Sequence, residues 1–244
     1  MTVRSLTSWT ASEAPDPFET ELRLTSATVR LWNAFAPLDP ELRRWGLAIG
    51  LVHPYQAGEA CFANEEVAVV VSGCLSLDAP GSDLTADLLG PGDVLAAGGP
   101  RTASGRWITD GELYCVDMEA WIETVGAEGV AHLLAAVERR RMGLERRILC
   151  ASTHRATARV ADLFLAIHEA SPGPAIALSQ ERLGEMLGLR RTTVNGSCRA
   201  LETGGASRTR RGQIRIVDEA LLAQAACGCR AALPARLADL SVSA

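Results

Sequence analysis

The chain contains no lysine, so all 24 of its basic residues are arginine. It has no apolar run of the ~18 to 20 residues that a bilayer-spanning helix needs, and residues 1–18 lack the continuous apolar segment of a secretory signal. We therefore expect a cytoplasmic protein with no membrane partner. The four histidines are dispersed and neither a nucleophile motif nor a Walker-type loop occurs, so an enzyme is not expected.

The seven cysteines include no CxxC pair and no Cys/His set with zinc-finger spacing. Their odd number and scattered positions favour reduced thiols. Cys61, Cys74 and Cys115 occur in apolar, strand-like runs, which predicts that they are buried. Cys227 and Cys229 flank one glycine near the C-terminus. Two thiolates alone make an incomplete metal site, so no metal is predicted and the role of this pair stays open.

Charge is distributed unevenly along a chain whose net charge is -5. Residues 1–120 carry 17 acidic and 7 basic side chains, whereas residues 121–244 carry 12 acidic and 17 basic ones. The first half is therefore acidic and the second half basic. This asymmetry favours an acidic module joined to one that faces nucleic acid.

The pattern of apolar residues changes twice along the chain. Residues 1–20 are rich in Ser, Thr, Pro and Glu and are expected to be poorly ordered. A helical pattern follows, which Pro37 and Pro40 are expected to break. From 53 to 117, short apolar runs alternate with turn residues, which predicts a small all-β sandwich or barrel.

A long helix is predicted from about residue 119, and a second one over about 155–170. In the first, apolar residues recur at alternating spacings of three and four, interrupted by Arg141. Such a seam is typical of a helix that pairs with a second copy. The alternative is a single helix that covers its own domain. The seam consists of Val130, Leu134, Val137, Leu144 and Ile148.

Residues 178–217 predict a helix-turn-helix followed by a short basic hairpin. Ser179 is a suitable N-cap for a helix over Gln180–Leu187, and Gly188 can close that helix in the left-handed conformation. Gly184 would let a second helix, from about Arg191 to Glu202, approach closely.

One position departs from the helix-turn-helix pattern. Ser197 lies where a bulky apolar residue usually fills the contact between the helices, and Cys198 could compensate in part.

Seven arginines and a single acidic residue occupy positions 190–215, which predicts DNA binding. The start of the second helix exposes Arg190, Arg191, Thr192 and Asn195. Arginine can bridge guanine O6 and N7, and asparagine can bridge adenine N6 and N7. The hairpin arginines are expected to contact phosphates, which adds affinity but little sequence information. They are Arg208, Arg210, Arg211 and Arg215.

The segment LSQERLGEMLGLRRTTV, with ALE and RRGQIRIVD after it, resembles the winged helix-turn-helix of the Crp/Fnr family of bacterial transcription regulators. The glycine-containing segments 55–59, 71–73 and 89–93 are similar to strand and turn signatures of that family. The resemblance implies an α+β fold with an N-terminal antiparallel β-roll, that is, a double-stranded β-helix of the cyclic-nucleotide-binding kind. A long dimerisation helix and a C-terminal winged helix-turn-helix would follow.

The implied segments are a flexible N-terminus (1–20), a β-roll with a leading helix (21–122), the dimerisation helix (123–152), the winged helix-turn-helix (153–222) and a tail (223–244). The resemblance also implies a homodimer on a near-palindromic operator, with reading helices about 34 Å apart in successive major grooves. RNA polymerase is a further possible partner.

The resemblance assigns roles to residues of the helix-turn-helix. Arg191 matches a base-contacting arginine, and Thr192 and Asn195 are the further candidates for reading bases. Thr192 and Gly196 stand where cAMP-responsive relatives carry a glutamate and an arginine, so the operator should differ from theirs. The candidates for phosphate contact are Ser179, Gln180, Arg190, Thr193, Arg199, Arg208, Arg210 and Arg211.

The effector site departs from the family pattern. Relatives that bind cyclic nucleotides use a glycine-glutamate pair for the ribose and an arginine-serine pair for the phosphate. Residues 100–104 resemble the second element, which makes Arg101 and Thr102 candidate effector contacts. The first element is missing, since no carboxylate lies between Asp93 and Arg101. Binding of cAMP in the usual manner is therefore not predicted, and an unknown small-molecule effector stays open.

No cofactor is predicted. The iron–sulfur pattern is absent because no cysteine precedes Cys61, and His53 alone does not favour haem. The alternative function is a ligand-sensing or protein-interaction module whose winged helix no longer reads DNA specifically.

Overall fold

The computed structural model describes residues 26–36, 38–63, 66–78, 85–97, 103–173, 175–210 and 212–229. The helices are α1 (Ser26–Ala34), α2 (Pro40–Ala48), α3 (Met118–Thr153), α4 (Ala156–Ala170), α5 (Gln180–Leu187), α6 (Arg191–Thr203) and α7 (Glu219–Ala225). The strands are β1 (Leu51–Tyr55), β2 (Ala60–Ala63), β3 (Glu66–Ser72), β4 (Leu75–Asp78), β5 (Thr85–Leu89), β6 (Val94–Ala97), β7 (Ala103–Trp107), β8 (Gly111–Asp117), β9 (Ile176–Ala177), β10 (Ser207–Arg210) and β11 (Gln213–Ile216).

The first eight strands form two four-stranded antiparallel sheets, in the orders β1-β8-β3-β6 and β2-β7-β4-β5. Alternate residues of β3 face opposite ways. Ala68 and Val70 lie in one apolar core with residues of the second sheet, such as Leu75 and Trp107. Val67, Val69 and Val71 lie in another core with α1 and α3. The predicted small all-β unit is therefore confirmed, and its double-sheet form agrees with the expected β-roll.

Two helices precede the β-roll. Pro40 occupies the first turn of α2, and the Asp39 carboxylate caps that helix by accepting from the N–H of Glu41 at 2.8 Å. The predicted break is confirmed, since α1 ends at Ala34 and α2 begins at Pro40. Proline suits the first helical position, where its missing N–H has no partner to lose. Pro37 lies outside the described residues.

The long helix α3 begins at the Asp117 cap, whose carboxylate accepts from the N–H of Ala120 at 2.9 Å. Gly126 interrupts it with φ +66°, so a short first piece meets a longer second piece at a kink. Trp121 and Val125 pack on Phe35 and the outer face of the β3 sheet. Nowhere in the described ranges does a helix combine the length and apolarity that crossing a membrane requires.

The cysteines fall into two groups. Cys61, Cys74 and Cys115 are buried, as predicted, and so is Cys198. Cys150, Cys227 and Cys229 are half-buried, and their sulfur atoms lie within 4.8 Å of one another. Helix α3 thus brings a third thiol to Cys227 and Cys229, which the sequence pattern did not indicate.

Candidate nucleic-acid interface

Apolar side chains from α4, α5, α6 and the β10–β11 hairpin form one core beneath the helix-turn-helix. Leu183 of α5 and Val194 of α6 are fully buried there. Gly184 permits the close approach, because a Cβ at this position would lie 2.8 Å from the Leu189 carbonyl oxygen and 3.6 Å from Val194 Cγ2. The predicted role of Gly184 is confirmed.

Both ends of α5 have the predicted caps. Ser179 Oγ accepts from the N–H of Arg182 at 3.1 Å, which satisfies one of the free donors at the start of α5. Gly188 closes the helix at φ +62°, and the N–H of Leu189 donates to the carbonyl of Gly184 at 2.8 Å. A residue with a side chain would be strained at Gly188.

Ser197 packs in the interior of the helix-turn-helix although it is not a bulky apolar residue. It is buried, and the Thr157 hydroxyl of α4 donates to Ser197 Oγ at 3.3 Å. Beside it, Cys198 lies in the core, where burial raises the pKa of its thiol. The expected compensation by Cys198 is therefore present, and a polar contact to α4 that sequence spacing did not indicate adds to it.

Opposite this packed face, α6 presents the predicted base-reading side chains. Arg191, Thr192 and Asn195 are exposed, and Arg199 continues the same stripe at a spacing of four residues. Arg190 precedes the helix without making a side-chain cap, so its side chain does not occupy the free N–H groups at the start of α6. A helix start of this kind favours an anion such as a phosphate group.

The hairpin beside α6 presents further arginines. Arg208 and Arg215 lie opposite each other in the β10–β11 register, and both are exposed, as is Arg210. Ile214, the residue before Arg215, is buried and packs the hairpin against the core, while β9 pairs with the other edge of β11. Gly212 makes the turn at φ +77°. Arg211 lies outside the described residues.

The other predicted phosphate-contacting residues lie at the starts of the two helices. Ser179, Arg190 and Thr193 are exposed and Gln180 is half-buried. Each described candidate for a DNA contact is thus exposed or half-buried and lies at the start of α5, on or just before α6, or on the hairpin.

An unpaired apolar stripe runs along the second piece of α3. Leu134 is 64% exposed, Val137 is 50% exposed and Ile148 is 69% exposed, whereas Val130 and Leu144 are half-buried. These residues alternate with the ones that pack on the β-roll, such as Leu133 and Ala136. The helix therefore carries two apolar faces, and only one of them is covered within the described part of the chain.

The predicted effector residues cannot be placed, since Arg101 and Thr102 lie outside the described residues. A cleft of about 490 Å³ lies between the β-roll and helices α3 and α4, and residues of all three line it. Ion pairs cross it: Asp87 Oδ2 lies 3.3 Å from Arg140 Nε, and Asp87 Oδ1 lies 3.8 Å from Arg147 Nη2.

A further ion pair links the helix-turn-helix directly to the β-roll. Arg182 of α5 reaches Asp78 at the end of β4, with 3.1 Å between Nη2 and Oδ1, and also pairs with Glu185 on its own helix. Sequence reasoning missed this contact, because nothing in the local pattern links residues 104 positions apart.

Residues 158–225 match the family described as a Crp-like helix-turn-helix domain. Over 157 residues the chain is 32% identical to the cyclic AMP receptor protein of Thermus thermophilus, an alignment that covers 61% of this chain and 72% of that relative. FixK2 from Bradyrhizobium japonicum has a similar structure (TM-score 0.59, 21% identity, 73% of this chain and 98% of that one). So has a CRP/FNR-family transcriptional regulator from Thermus thermophilus (TM-score 0.58, 21% identity, 72% and 98%).

Proposed function

The chain belongs to the Crp/Fnr family of transcription regulators, and we propose that it reads a near-palindromic operator as a homodimer. It is a DNA-binding regulator of this type and not an enzyme. The observation that carries the finer proposal is the division of α6 into two faces. Val194 and Leu201 are buried in the core, while Arg191, Thr192 and Asn195 are exposed.

In this proposal Arg191, Thr192 and Asn195 contact base edges in the major groove, because α6 presents them together at its start. The phosphate contacts come from the side chains around them, which set the register on the duplex. They are Ser179, Gln180, Arg190, Thr193, Arg199, Arg208, Arg210 and Arg211.

The proposed dimer pairs the exposed stripe of α3 with its counterpart on a second copy. Leu134, Val137 and Ile148 are each at least half exposed in the single chain, and burying such side chains against each other is favourable by about 25 cal/mol per Å² of apolar surface. Pairing by a two-fold axis would place two copies of α6 in successive major grooves. RNA polymerase is a further proposed partner, and the cytoplasm is the proposed location.

The proposed effector is a small molecule other than cAMP. The similar Thermus protein is named for cyclic AMP, but this chain carries no carboxylate between Asp93 and Arg101 to bond a ribose hydroxyl. Arg101 and Thr102 remain the proposed contacts for an anionic part of the effector.

The alternative, a module that binds protein rather than DNA, rested on Ser197 and on the replaced base-reading side chains. The hydrogen bond from Thr157 of α4 to Ser197 weakens the first of these reasons, since Ser197 is buried with a polar partner.

Selection from a random DNA library tests the proposal. The full-length chain should enrich a near-palindromic motif whose half-sites lie about one helical turn apart, ~34 Å. Enrichment of no motif, or binding that does not weaken as salt rises, would contradict it, because several arginine–phosphate contacts require a steep salt dependence.

A further inference from the structure

Three cysteines from distant parts of the chain meet at the junction of the long helix and the C-terminal segment. Cys150 lies in the last turn of α3, and Cys227 and Cys229 follow α7. The sulfur atoms of Cys150 and Cys227 are 3.4 Å apart, and all three sulfurs lie within 4.8 Å of one another. The four other cysteines are buried in the cores, which makes this group distinct.

Local backbone structure brings the two C-terminal thiols together. Helix α7 ends where the N–H of Ala226 donates to the carbonyl of Leu222 at 3.0 Å. Gly228 then takes φ +67°, a conformation that side chains other than glycine's disfavour. A Cβ at Gly228 would meet nothing within 4 Å, so this position requires glycine for its backbone conformation and not for space. The turn directs Cys227 and Cys229 towards Cys150.

The spacing of the three sulfurs fits one metal ion. Zinc–thiolate bonds of about 2.3 Å in a tetrahedral arrangement place the sulfurs ~3.8 Å apart. The observed separations, from 3.4 Å to no more than 4.8 Å, span this value. Small shifts of side chains would therefore centre an ion among them. Sulfur ligands select soft, thiophilic ions and not Mg²⁺ or Ca²⁺, which require oxygen.

We propose that Cys150, Cys227 and Cys229 bind one thiophilic metal ion, Zn²⁺ or Cu⁺. With Zn²⁺ the fourth position is left for water or a small ligand, whereas Cu⁺ can be held by the three sulfurs alone. The site joins the end of α3 to the segment after α7. A bound metal would therefore fix the position of the winged helix-turn-helix relative to α3. The proposal does not depend on DNA recognition, because metal uptake is measured on the protein alone.

Metal stoichiometry of the purified full-length chain tests the site. The reduced protein is offered Zn²⁺ or Cu⁺ in separate samples, freed of loosely held ions and analysed by mass spectrometry for metal per chain. One ion per chain is expected in at least one of the two samples, the one offered Zn²⁺ or the one offered Cu⁺. Cobalt offered in place of zinc should give thiolate-to-cobalt charge-transfer absorption, which reports sulfur ligation directly.

Variants locate the ion. Cys150→Ser, Cys227→Ser and Cys229→Ser should each weaken binding by at least about tenfold in competition with a chelating dye, the lower end of the loss caused by removing even an outer-shell partner. The matched control, Cys61→Ala, removes a buried thiol of the β-roll and should retain the ion. Gly228→Ala keeps all three thiols but strains the turn, and it should weaken binding as well.

Several results would overturn the proposal. One is the absence of stoichiometric metal in both samples. Another is a triple serine variant that takes up as much metal as the wild-type chain while its circular dichroism shows it folded. A third is a Cys150–Cys227 disulfide in the isolated protein combined with no metal uptake after reduction. If the serine variants fail to fold, Gly228→Ala and the cobalt spectrum decide in their place.

Discussion

Arg182 in the first helix of the helix-turn-helix forms an ion pair with Asp78 of the β-roll, with 3.1 Å between Nη2 and Oδ1. Both side chains are mostly shielded, at 21% and 24% exposure. The pair connects the helix-turn-helix to the β-roll, the domain that is expected to sense an effector. Its formation or loss would therefore accompany any movement of one unit relative to the other.

A double-mutant cycle on this pair should measure that connection. Asp78→Asn combined with Arg182→Gln should show a coupling free energy of at least about 0.2 to 1 kcal/mol in thermal unfolding, the range of fully exposed ion pairs. Glu185 is the matched control, because its contact with Arg182 lies within α5 and does not join the domains. A coupling of zero between Asp78 and Arg182 would show that the two units are not held together there.

A charge placed in the α3 stripe should separate the proposed dimer. We expect Leu134→Glu and Ile148→Glu to give monomers in analytical ultracentrifugation, because each would place a carboxylate in the seam of the paired helices. Ile122→Glu is the control, since Ile122 is exposed on the same helix but lies before the kink at Gly126. A wild-type chain that is already monomeric at micromolar concentration would contradict the dimer.

Acid should destabilise the protein through His132, which packs against Phe35 with 5.6 Å between ring centroids. Burial, followed by the charge of Arg139, lowers the pKa of His132 below its ordinary value of 6.5. The unfolded chain thus binds this proton more readily than the folded one. The stabilising contribution is complete above pH 6.5 and is lost as the pH falls below that value.

Chemical unfolding at pH 7.5 and at pH 5.5 checks this sign. The free energy of unfolding should fall between the two pH values in the wild-type chain, and the fall should be smaller in His132→Gln. The exposed His154 provides the control, so His154→Gln should keep the wild-type dependence. An equal dependence in His132→Gln would rule out His132 as the origin.

Addition of cAMP should leave operator affinity unchanged. The reason is chemical: the segment between Asp93 and Arg101 offers no carboxylate to a ribose. Fluorescence anisotropy with labelled operator, with and without saturating cAMP, measures this. If cAMP tightens binding and Arg101→Ala abolishes the effect, the effector pocket works in spite of the missing carboxylate.

Local signals in the sequence were enough for the helix-turn-helix. Ser179 and Gly188 mark the ends of α5, and both caps occur as the sequence predicts. The same holds for the short strands of the β-roll, whose turns at Gly58 and Gly73 have positive φ. The five-part division of the chain stays a prediction.

Contacts between distant residues were not predictable in this way. The meeting of Cys150 with Cys227, and of Arg182 with Asp78, depends on how α3 and α5 pack against other elements, and no local pattern specifies that packing. Pro40 marks the predicted break, but the apolar pattern did not indicate that α2 begins at this residue, with the Asp39 side chain as its cap.

The proposed division of roles is that α6 reads bases while the hairpin contacts phosphates. Its most direct test compares Arg191→Ala with Arg208→Ala on the selected operator, on operators with single base-pair changes, and over a range of salt. Arg191→Ala should cost about 1–3 kcal/mol and relax discrimination at one base pair of each half-site. Arg208→Ala should weaken all sequences alike and reduce the salt slope by about 1. If Arg191→Ala instead left both affinity and discrimination unchanged, α6 would not be the reading helix.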